Sequence, residues 1–302
     1  LSIILLCYNH LEYTQQCVDS VLKNTMCEDY ELIIVNNNST DGTYTYLNKI
    51  KSSKIKIIHN ETVFGFSPGF SKGMNVGVKE AKGRFMILLN NDTIVDKSWD
   101  IELIKILEKD NKIFAVTPMT NQSGNESRMD IKHDTHEDFF NKHNILSKYL
   151  VSYTEVSSLA LFCGCFRKKD FINIGCLDEN YFNGWEDDDL YERIKLQGKR
   201  VVISTKSAVY HFGSVTVGKQ AYSGKDNSNK LYFEKKWNKT WVPNKYSQIL
   251  ICDSKKMQEE YIPNNNTEQF IRENHRDTRL INWLLRNIPN SQNSIQVDDT
   301  LY

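Results

Sequence analysis

The sequence predicts an α/β protein with a mostly parallel central sheet flanked by helices, followed by a helical C-terminal extension. Three observations lead there. Short apolar runs of strand length alternate with segments of helical spacing through the first half of the chain. Three of those runs close in polar residues, at Tyr8-Asn9, Asn36-Asn37-Asn38 and Asn90-Asn91-Asp92. After about Pro243 the composition turns polar, with one late amphipathic stretch. Strands that alternate with helices imply parallel pairing with helices on both faces.

The elements follow in order. Ser2–Cys7 is an apolar run suited to a strand buried on both faces. Leu11–Leu22 carries Val18, Val21 and Leu22 at helical spacing, and Glu31–Val35 is a second strand. Ser39-Thr40-Asp41-Gly42 is a turn whose side chains can cap a following helix. Ile55–His59 is a third strand, and the Gly-rich segment Gly65–Gly77 leads into a helix carrying Phe70, Met74, Val78 and Ala81. Arg84–Leu89 is a fourth strand, ending in Asn90-Asn91-Asp92-Thr93. A helix around Trp99, Leu103, Ile106 and Leu107 and a strand at Ile113–Thr117 come next.

Residues 118–155 are polar and read as a mobile loop over the active edge; His133, His136 and His143 within it match no metal-ligand spacing. Ser157–Phe166 resumes as a strand and Lys168–Ile174 as a short helix. Arg200–Ser204 and Ala208–Phe212 read as two strands, and Asp226–Trp237 as a helix. The division expected is a domain over 1–243 and an extension over 244–302, with an amphipathic helix at Thr267–Ile288 and a disordered tail.

Bulk properties exclude several classes. The 302 residues carry a formal net charge of zero, so no global field favours nucleic acid or an anionic membrane. No apolar run approaches the ~20 residues of a membrane span, and no signal-peptide pattern opens the chain. The first residue already lies in an apparent strand, which suggests a fragment of a longer polypeptide. Seven cysteines without paired CxxC spacing indicate neither a zinc site nor a disulfide framework, and a reducing, cytosolic compartment is expected.

Parallel α/β sheets bind ligands at the carboxyl ends of their strands. The three polar strand ends should therefore share one edge. Asn90-Asn91-Asp92 offers a carboxylate among amide oxygens, suited to a hard divalent cation shared with a diphosphate. His211, at the end of a later strand, would add an imidazole, and the pair suits Mn²⁺ or a similar ion. The acidic stretch Glu186-Asp187-Asp188-Asp189 follows Gly184-Trp185 and opens a helical pattern. At about 100° per residue, Asp187, Leu190, Tyr191 and Ile194 share one face while Asp188 and Asp189 point elsewhere. Asp187 is thus the carboxylate expected to face the interior and carry chemistry.

These motifs together resemble glycosyltransferase family 2, inverting enzymes of the GT-A fold, and especially its rhamnosyltransferase-like bacterial members. The resemblance runs from about residue 1 to 240. Ser2–Asn9 is similar to the family's opening strand, and Glu31–Thr43 to its second strand and turn. Gly69–Gly77 is similar to its glycine-rich segment over the donor. Leu89-Asn90-Asn91-Asp92-Thr93 resembles a variant of the DxD metal motif. Trp185–Leu190 resembles the ED motif, and Tyr210–Ser214 the late metal-binding His.

The resemblance implies a metal-dependent transferase moving one sugar from a nucleotide-diphosphate-sugar, UDP-, dTDP- or GDP-linked, to a hydroxyl of a glycan or glycoprotein. Asn37, with Tyr8 and Asn36, would hold the base and ribose. Asn9, Asp41, Lys72, Asn75, Asn91 and Asp92 would lie at the donor. Asp92 and His211 would bind Mn²⁺ or Mg²⁺, Asp187 would be the general base, and Trp185, Glu186 and Asp188 would border the acceptor. Asn36 and Asn37 stand where family members commonly carry Asp, which bears on the nucleotide accepted. The work is expected in the cytoplasm or peripherally at the inner face of the membrane, without nucleic acid. The other reading is a non-catalytic sugar-binding or assembly module of a larger glycosylation protein, oligomerising through 267–302.

Overall fold

The computed structural model describes residues 1–60, 69–129, 131–213 and 228–242. The expected extension over 244–302, its helix at 267–288, and Gly65-Phe66-Ser67 lie outside the described residues. In chain order the first elements are β1 (Ser2–Cys7), α1 (Leu11–Asn24), β2 (Glu31–Asn36), α2 (Thr43–Leu47) and β3 (Ile55–His59). Next come α3 (Phe70–Glu80), β4 (Phe85–Asn90), β5 (Thr93–Val95), α4 (Trp99–Lys109) and β6 (Ile113–Met119). The remainder are α5 (His136–Ser147), β7 (Tyr153–Glu155), β8 (Cys163–Arg167), α6 (Lys168–Asn173), α7 (Glu186–Leu196), β9 (Arg200–His211) and α8 (Ser228–Trp237).

One nine-stranded sheet runs β3-β2-β1-β4-β8-β6-β9-β5, with β7 also on β9. Ladders β1–β2, β1–β4, β2–β3 and β6–β9 are parallel; β4–β8, β6–β8, β5–β9 and β7–β9 are antiparallel. It follows that β1, β2, β3, β4, β6 and β9 all point one way, and β8 is the reversed strand between the two parallel sets. The mostly parallel sheet is therefore real, and the polar ends of β1, β2, β4 and β9 share one edge.

The strand pleat divides the core. Along β1, Ile4 and Leu6 face one hydrophobic cluster with Met74, Val78 and Phe166; Ile3, Leu5 and Cys7 face another with Val18, Trp99 and Leu103. Both faces of the sheet are thus covered, and alternate residues of one apolar run serve both.

Helix α3 lies unusually close to the sheet. A Cβ on Gly77 would collide with the Ile4 side chain and sit 3.2 Å from Val35 Cγ2. We therefore expect Gly77→Ala to destabilise the fold by about 1–3 kcal/mol through overpacking, exceeding the ~1 kcal/mol gain in helix propensity. Urea unfolding of both proteins measures it, and an unchanged midpoint would contradict the close packing.

Several expectations need correction. Residues 118–155 are not one loop: they contain α5 and β7, and Phe139, Leu146 and Leu150 are buried in the core. His143 is buried, its Nε2 3.0 Å from the Thr205 carbonyl, and burial lowers its pKa to about 4. His133 Nδ1 lies 2.7 Å from the Ile131 carbonyl, and the His133 and His136 rings both pack edge-on against Tyr210. The strand expected at 157–166 is confined to Cys163–Arg167, because residues 157–162 turn along the binding edge instead. The two strands expected at 200–212 are one, β9. Its register against β6 slips between Ser204 and Ala208, and the polar residues there, Thr205 and Ser207, bond to Val151 and Trp99 carbonyls.

The six cysteines among the described residues are free. Among those residues no helix is long and apolar enough to cross a membrane.

Candidate active site

The edge is assembled by backbone register. Strand β5 pairs with β9 so that Thr93 stands opposite His211, and the Phe212 amide donates to the Asp92 carbonyl at 2.9 Å. Residues 119 apart in sequence, Asp92 and His211, are thereby neighbours, with Nε2 3.4 Å from Oδ1. Asn121 clamps the His211 backbone from both sides, accepting from its amide and donating to its carbonyl. Phe162 stacks on the imidazole at 5.2 Å.

The imidazole is also oriented. Its Nδ1–H donates to the Gln122 carbonyl at 3.0 Å, so when protonated the ring also donates from Nε2 to Asp92, and loss of the Nε2 proton is what frees that nitrogen for a cation. Burial works to lower the His211 pKa, but the bond and charge of Asp92 and the Gln122 carbonyl outweigh it and raise the value. Asn90 Oδ1 is a buried oxygen without a partner beside this pair. Among the described residues no cluster of three or more His, Cys, Asp or Glu forms a closed cage. One carboxylate, one oriented imidazole and an orphaned amide oxygen nonetheless fit a divalent cation that takes its remaining ligands from a diphosphate and water.

A cleft of about 370 Å³ is lined by His211 and Asn90 together with Trp185, Glu186, Asp187, Asp188 and Trp241. The acidic turn is positioned by backbone strain and by α8. Gly184 and Trp185 both adopt left-handed φ, 86° and 68°, which turns the chain sharply into α7. Asn229 on α8 donates to the carbonyls of Asn183 and Gly184, and Trp241 Nε1 donates to Asp188 at 2.8 Å. From the other side, the Phe70 amide at the start of α3 donates to Phe182 O at 2.7 Å and to Asn183 Oδ1. Gly69 permits that approach: with φ 91°, a Cβ there would lie 2.7 Å from the Phe182 carbonyl oxygen.

The four carboxylates have different fates. Asp189, not Asp187, is the one committed to the interior; it is fully buried and bound to Arg193 at 2.8 Å, Lys236 at 2.6 Å and Trp237 Nε1 at 3.0 Å. This corrects the expectation that Asp189 points away, because α8 packs over that side of α7. Asp187 instead lies at the cleft wall, partly exposed. Burial first, then the charges of Asp188 and Glu186, raise its pKa well above the carboxylate range. A carboxylate with its proton affinity raised in this way is, once ionised, a stronger proton acceptor than an ordinary one.

The residues expected at the donor divide into two groups. Asn9 and Asp41 line a hollow of about 550 Å³ at the ends of β1 and β2, with Tyr8 half-buried next to it. Asn9 Oδ1 accepts from the Thr40 amide at 2.7 Å, and Asp41 accepts from Leu11 and Thr43 amides. Burial opposes ionisation of Asp41, yet the Thr43 and Leu11 bonds prevail and lower its pKa. The other asparagines tie the edge together. Asn36 bonds His59 and the Ser39 amide, Asn37 bonds Gly69 O and Asn60, and Asn91 bonds Thr14. Asn75 is engaged with Leu177 and Glu179, and Lys72 is exposed on α3. Asn36, Asn37 and Asn91 thus shape the edge with side chains already bonded to the protein, whereas Asn75 lines a separate hollow with Lys79, Ile174 and Arg193. Reasoning on sequence missed Ser158 and Trp241 as cleft residues; Trp241 alone had a signal, as an aromatic just past a predicted helix.

A sheet with this strand order, its binding edge and its helices on both faces is the GT-A fold of glycosyltransferases. Solved structures agree in fold. A mannosyltransferase from Pyrobaculum calidifontis, in complex with GDP-Man and Mn²⁺, aligns with TM-score 0.51 at 15% identity over 73% of this chain and 59% of its own. GalNAc-T7 with UDP, GalNAc and Mn²⁺ aligns with TM-score 0.56 at 16% identity, over 95% and 56%. Staphylococcus aureus TarS 1-349 in complex with UDP-GlcNAc aligns with TM-score 0.52 at 18% identity, over 69% and 57%.

Residues 2–174 match the family model for glycosyl transferase family 2, and the chain belongs to that family. An uncharacterized glycosyltransferase of Haemophilus influenzae is 31% identical over 117 residues, covering 38% of this chain and 35% of that protein. A poly-beta-1,6-N-acetyl-D-glucosamine synthase of Staphylococcus epidermidis is 30% identical over 118 residues, covering 39% and 27%. The chain spans about a third or less of the length of these relatives.

Proposed function

We propose that this chain is a metal-dependent inverting glycosyltransferase that moves one sugar from a nucleotide-diphosphate-sugar to a hydroxyl of a glycan or glycoprotein, with Asp187 as general base. One observation carries the reading: a single cleft is lined both by the raised-pKa carboxylate Asp187 and by His211, which meets Asp92. When bound, Mn²⁺ or Mg²⁺ would neutralise charge on the departing nucleoside diphosphate.

The chain's own residues do the rest. Asp92 and His211 hold the cation end of the donor. Asn9, Asp41 and Tyr8 border its nucleotide, on an edge shaped by Asn36, Asn37 and Asn91. Lys72, exposed and outside the cleft lining, enters only as a solvent-side contact. Asp187 takes the proton from the acceptor hydroxyl as that oxygen attacks the anomeric carbon opposite the leaving group. A diphosphate leaves without protonation, so one base suffices. The free cysteines suit a reducing, cytoplasmic setting.

The test is a donor-hydrolysis screen across UDP-, GDP- and dTDP-sugars with Mn²⁺. We expect one donor class to turn over and EDTA to stop it. Asp92→Ala and His211→Ala should each weaken Mn²⁺-dependent donor binding by roughly 10–100-fold, the range for losing a metal-site group. Hydrolysis of no donor would favour the assembly-module reading, and EDTA-insensitive turnover would contradict the metal assignment.

A further inference from the structure

Helix α1 carries a buried polar flank where a helix packed on a sheet would ordinarily carry aliphatic side chains. Thr14 and Cys17 are fully buried, and Ser20 is 7% exposed. With Asn24 they recur every three or four residues and fall on one flank at about 100° per residue. Val18 and Val21, on the adjoining flank, pack into the apolar core. A buried hydroxyl gains little over a methyl and costs free energy unless it is bonded. The bonds of this flank therefore indicate its purpose.

All four side chains grip residues 90–95, the segment that carries Asp92. The Asn91 amide donates to Thr14 Oγ1 at 2.9 Å, and Thr14 Oγ1 donates onward to the His10 carbonyl at 3.5 Å. Cys17 Sγ lies 3.4 Å from Thr93 Oγ1 and 3.6 Å from the Asn90 carbonyl, while Thr93 Oγ1 donates to that carbonyl at 2.7 Å. The Val95 amide donates to Ser20 Oγ at 3.1 Å, and Asn24 Nδ2 donates to the Val95 carbonyl at 2.7 Å. Asn91, 4% exposed, is an anchor of this turn.

The same helix reaches the other member of the pair. Tyr13 packs edge-on against Phe212, with ring centres 4.8 Å apart. Phe212 follows His211, and its amide donates to the Asp92 carbonyl. One helix thus holds both sides of the 3.4 Å contact between Asp92 and His211.

We propose that α1 is the template that sets the Asp92–His211 spacing, with Tyr13, Thr14, Cys17 and Ser20 as positioning residues for the divalent cation. This rests on the metal assignment above and goes beyond it, since none of the four lines the cleft. Strands β5 and β9 meet over only three residue pairs, Thr93 to Val95 against His211 to Val209. So short a two-stranded ladder is marginal alone. A cation, by contrast, tolerates errors of only about 0.2 Å in the distances to its ligands. The helix supplies the rigidity that the ladder lacks.

The experiment titrates Mn²⁺ into wild type and variants by calorimetry, with saturating UDP, GDP or dTDP, and records a melting curve for each protein. Wild type should bind Mn²⁺ with at least one of the three diphosphates. Thr14→Val keeps the shape and removes the hydroxyl. It should weaken that binding about tenfold, the lower end for losing a group that supports a metal ligand. Thr14→Ser, which restores the hydroxyl, should stay within about threefold of wild type. Tyr13→Leu, at a half-buried position, tests the His211 side and should weaken binding about threefold, the order of one aromatic contact. Gly77→Ala is the control, because it lowers stability from the opposite face of the sheet and should leave Mn²⁺ affinity unchanged.

Wild-type Mn²⁺ affinity in both Thr14→Val and Tyr13→Leu would overturn the proposal. So would a Thr14→Ser protein as impaired as Thr14→Val, or a Gly77→Ala protein that loses affinity to the same degree. Wild type that binds Mn²⁺ with none of the three diphosphates would remove the metal assignment and this proposal with it, so the two failures read differently.

Discussion

Replacing Asp187 by Asn should lower turnover by roughly 10²–10⁴-fold, the usual contribution of a positioned general base, while the Kd for donor with Mn²⁺ stays the same. The amide keeps the shape and hydrogen-bonding reach of the carboxyl but cannot accept the acceptor's proton. Stability should move the other way. The native Asp187 pKa is raised above the ordinary carboxylate value. Between about 4 and the raised value the native state binds more protons than the unfolded one, so stability falls as pH rises through that window. Asn removes this cost. The variant should therefore melt at or above the wild-type temperature at neutral pH, with the difference vanishing near pH 4. Calorimetry of donor binding, assays of turnover and melting at two pH values check all three. Retained turnover would sink the assignment.

Two residues along the same helix, the opposite phenotype is expected. Asp189→Ala should destabilise the protein by about 3 kcal/mol, the lower end for breaking a buried ion pair. It removes the carboxylate shared by Arg193 and Lys236 and the partner of Trp237 Nε1, while Arg193 keeps the Ile174 and Cys176 carbonyls. Lys236 keeps a second partner in Asp178 at 2.6 Å and is partly exposed, which argues for the lower figure. Loosening α8 should also slacken Asn229 and Trp241 on the acidic turn, so activity is lost with stability rather than independently. Urea unfolding with matched activity assays measures this. A loss under ~1 kcal/mol would show that Asp189 is not the keystone between α7 and α8.

The contrast shows what a sequence conveys and what it does not. Strand runs such as Ser2–Cys7 and Ile55–His59 declare themselves because both faces are buried and their ends are polar. The shared edge follows from parallel pairing alone. Helical periodicity ranks residues around α7 only against its own apolar positions, Leu190 and Ile194. It cannot show that α8 covers the flank holding Asp189, since that contact joins segments 48 residues apart. The asparagines failed for a related reason. Asn37 and Asn75 look like ligand-binding groups in one dimension, yet their amides are spent on Gly69 and Leu177, partners supplied by tertiary structure. Residues 118–155 look polar because their few apolar residues, Phe139, Leu146 and Leu150, pack a short helix and a connecting turn rather than a long amphipathic face. The Asp92–His211 pair was legible as two strand ends, while the β5–β9 register that joins them was not.

The pH dependence of turnover, at saturating donor and Mn²⁺, tests the central claim most directly. A base must be ionised, so activity should be present above the Asp187 pKa and lost as pH falls through it. We predict an acid limb lying above the ordinary carboxylate range, because burial and the charges of Asp188 and Glu186 raise it. Asp188→Asn, which removes one of those charges, should shift that limb to lower pH. An acid limb near pH 4, or one that Asp188→Asn leaves unmoved, would contradict Asp187 as the working base.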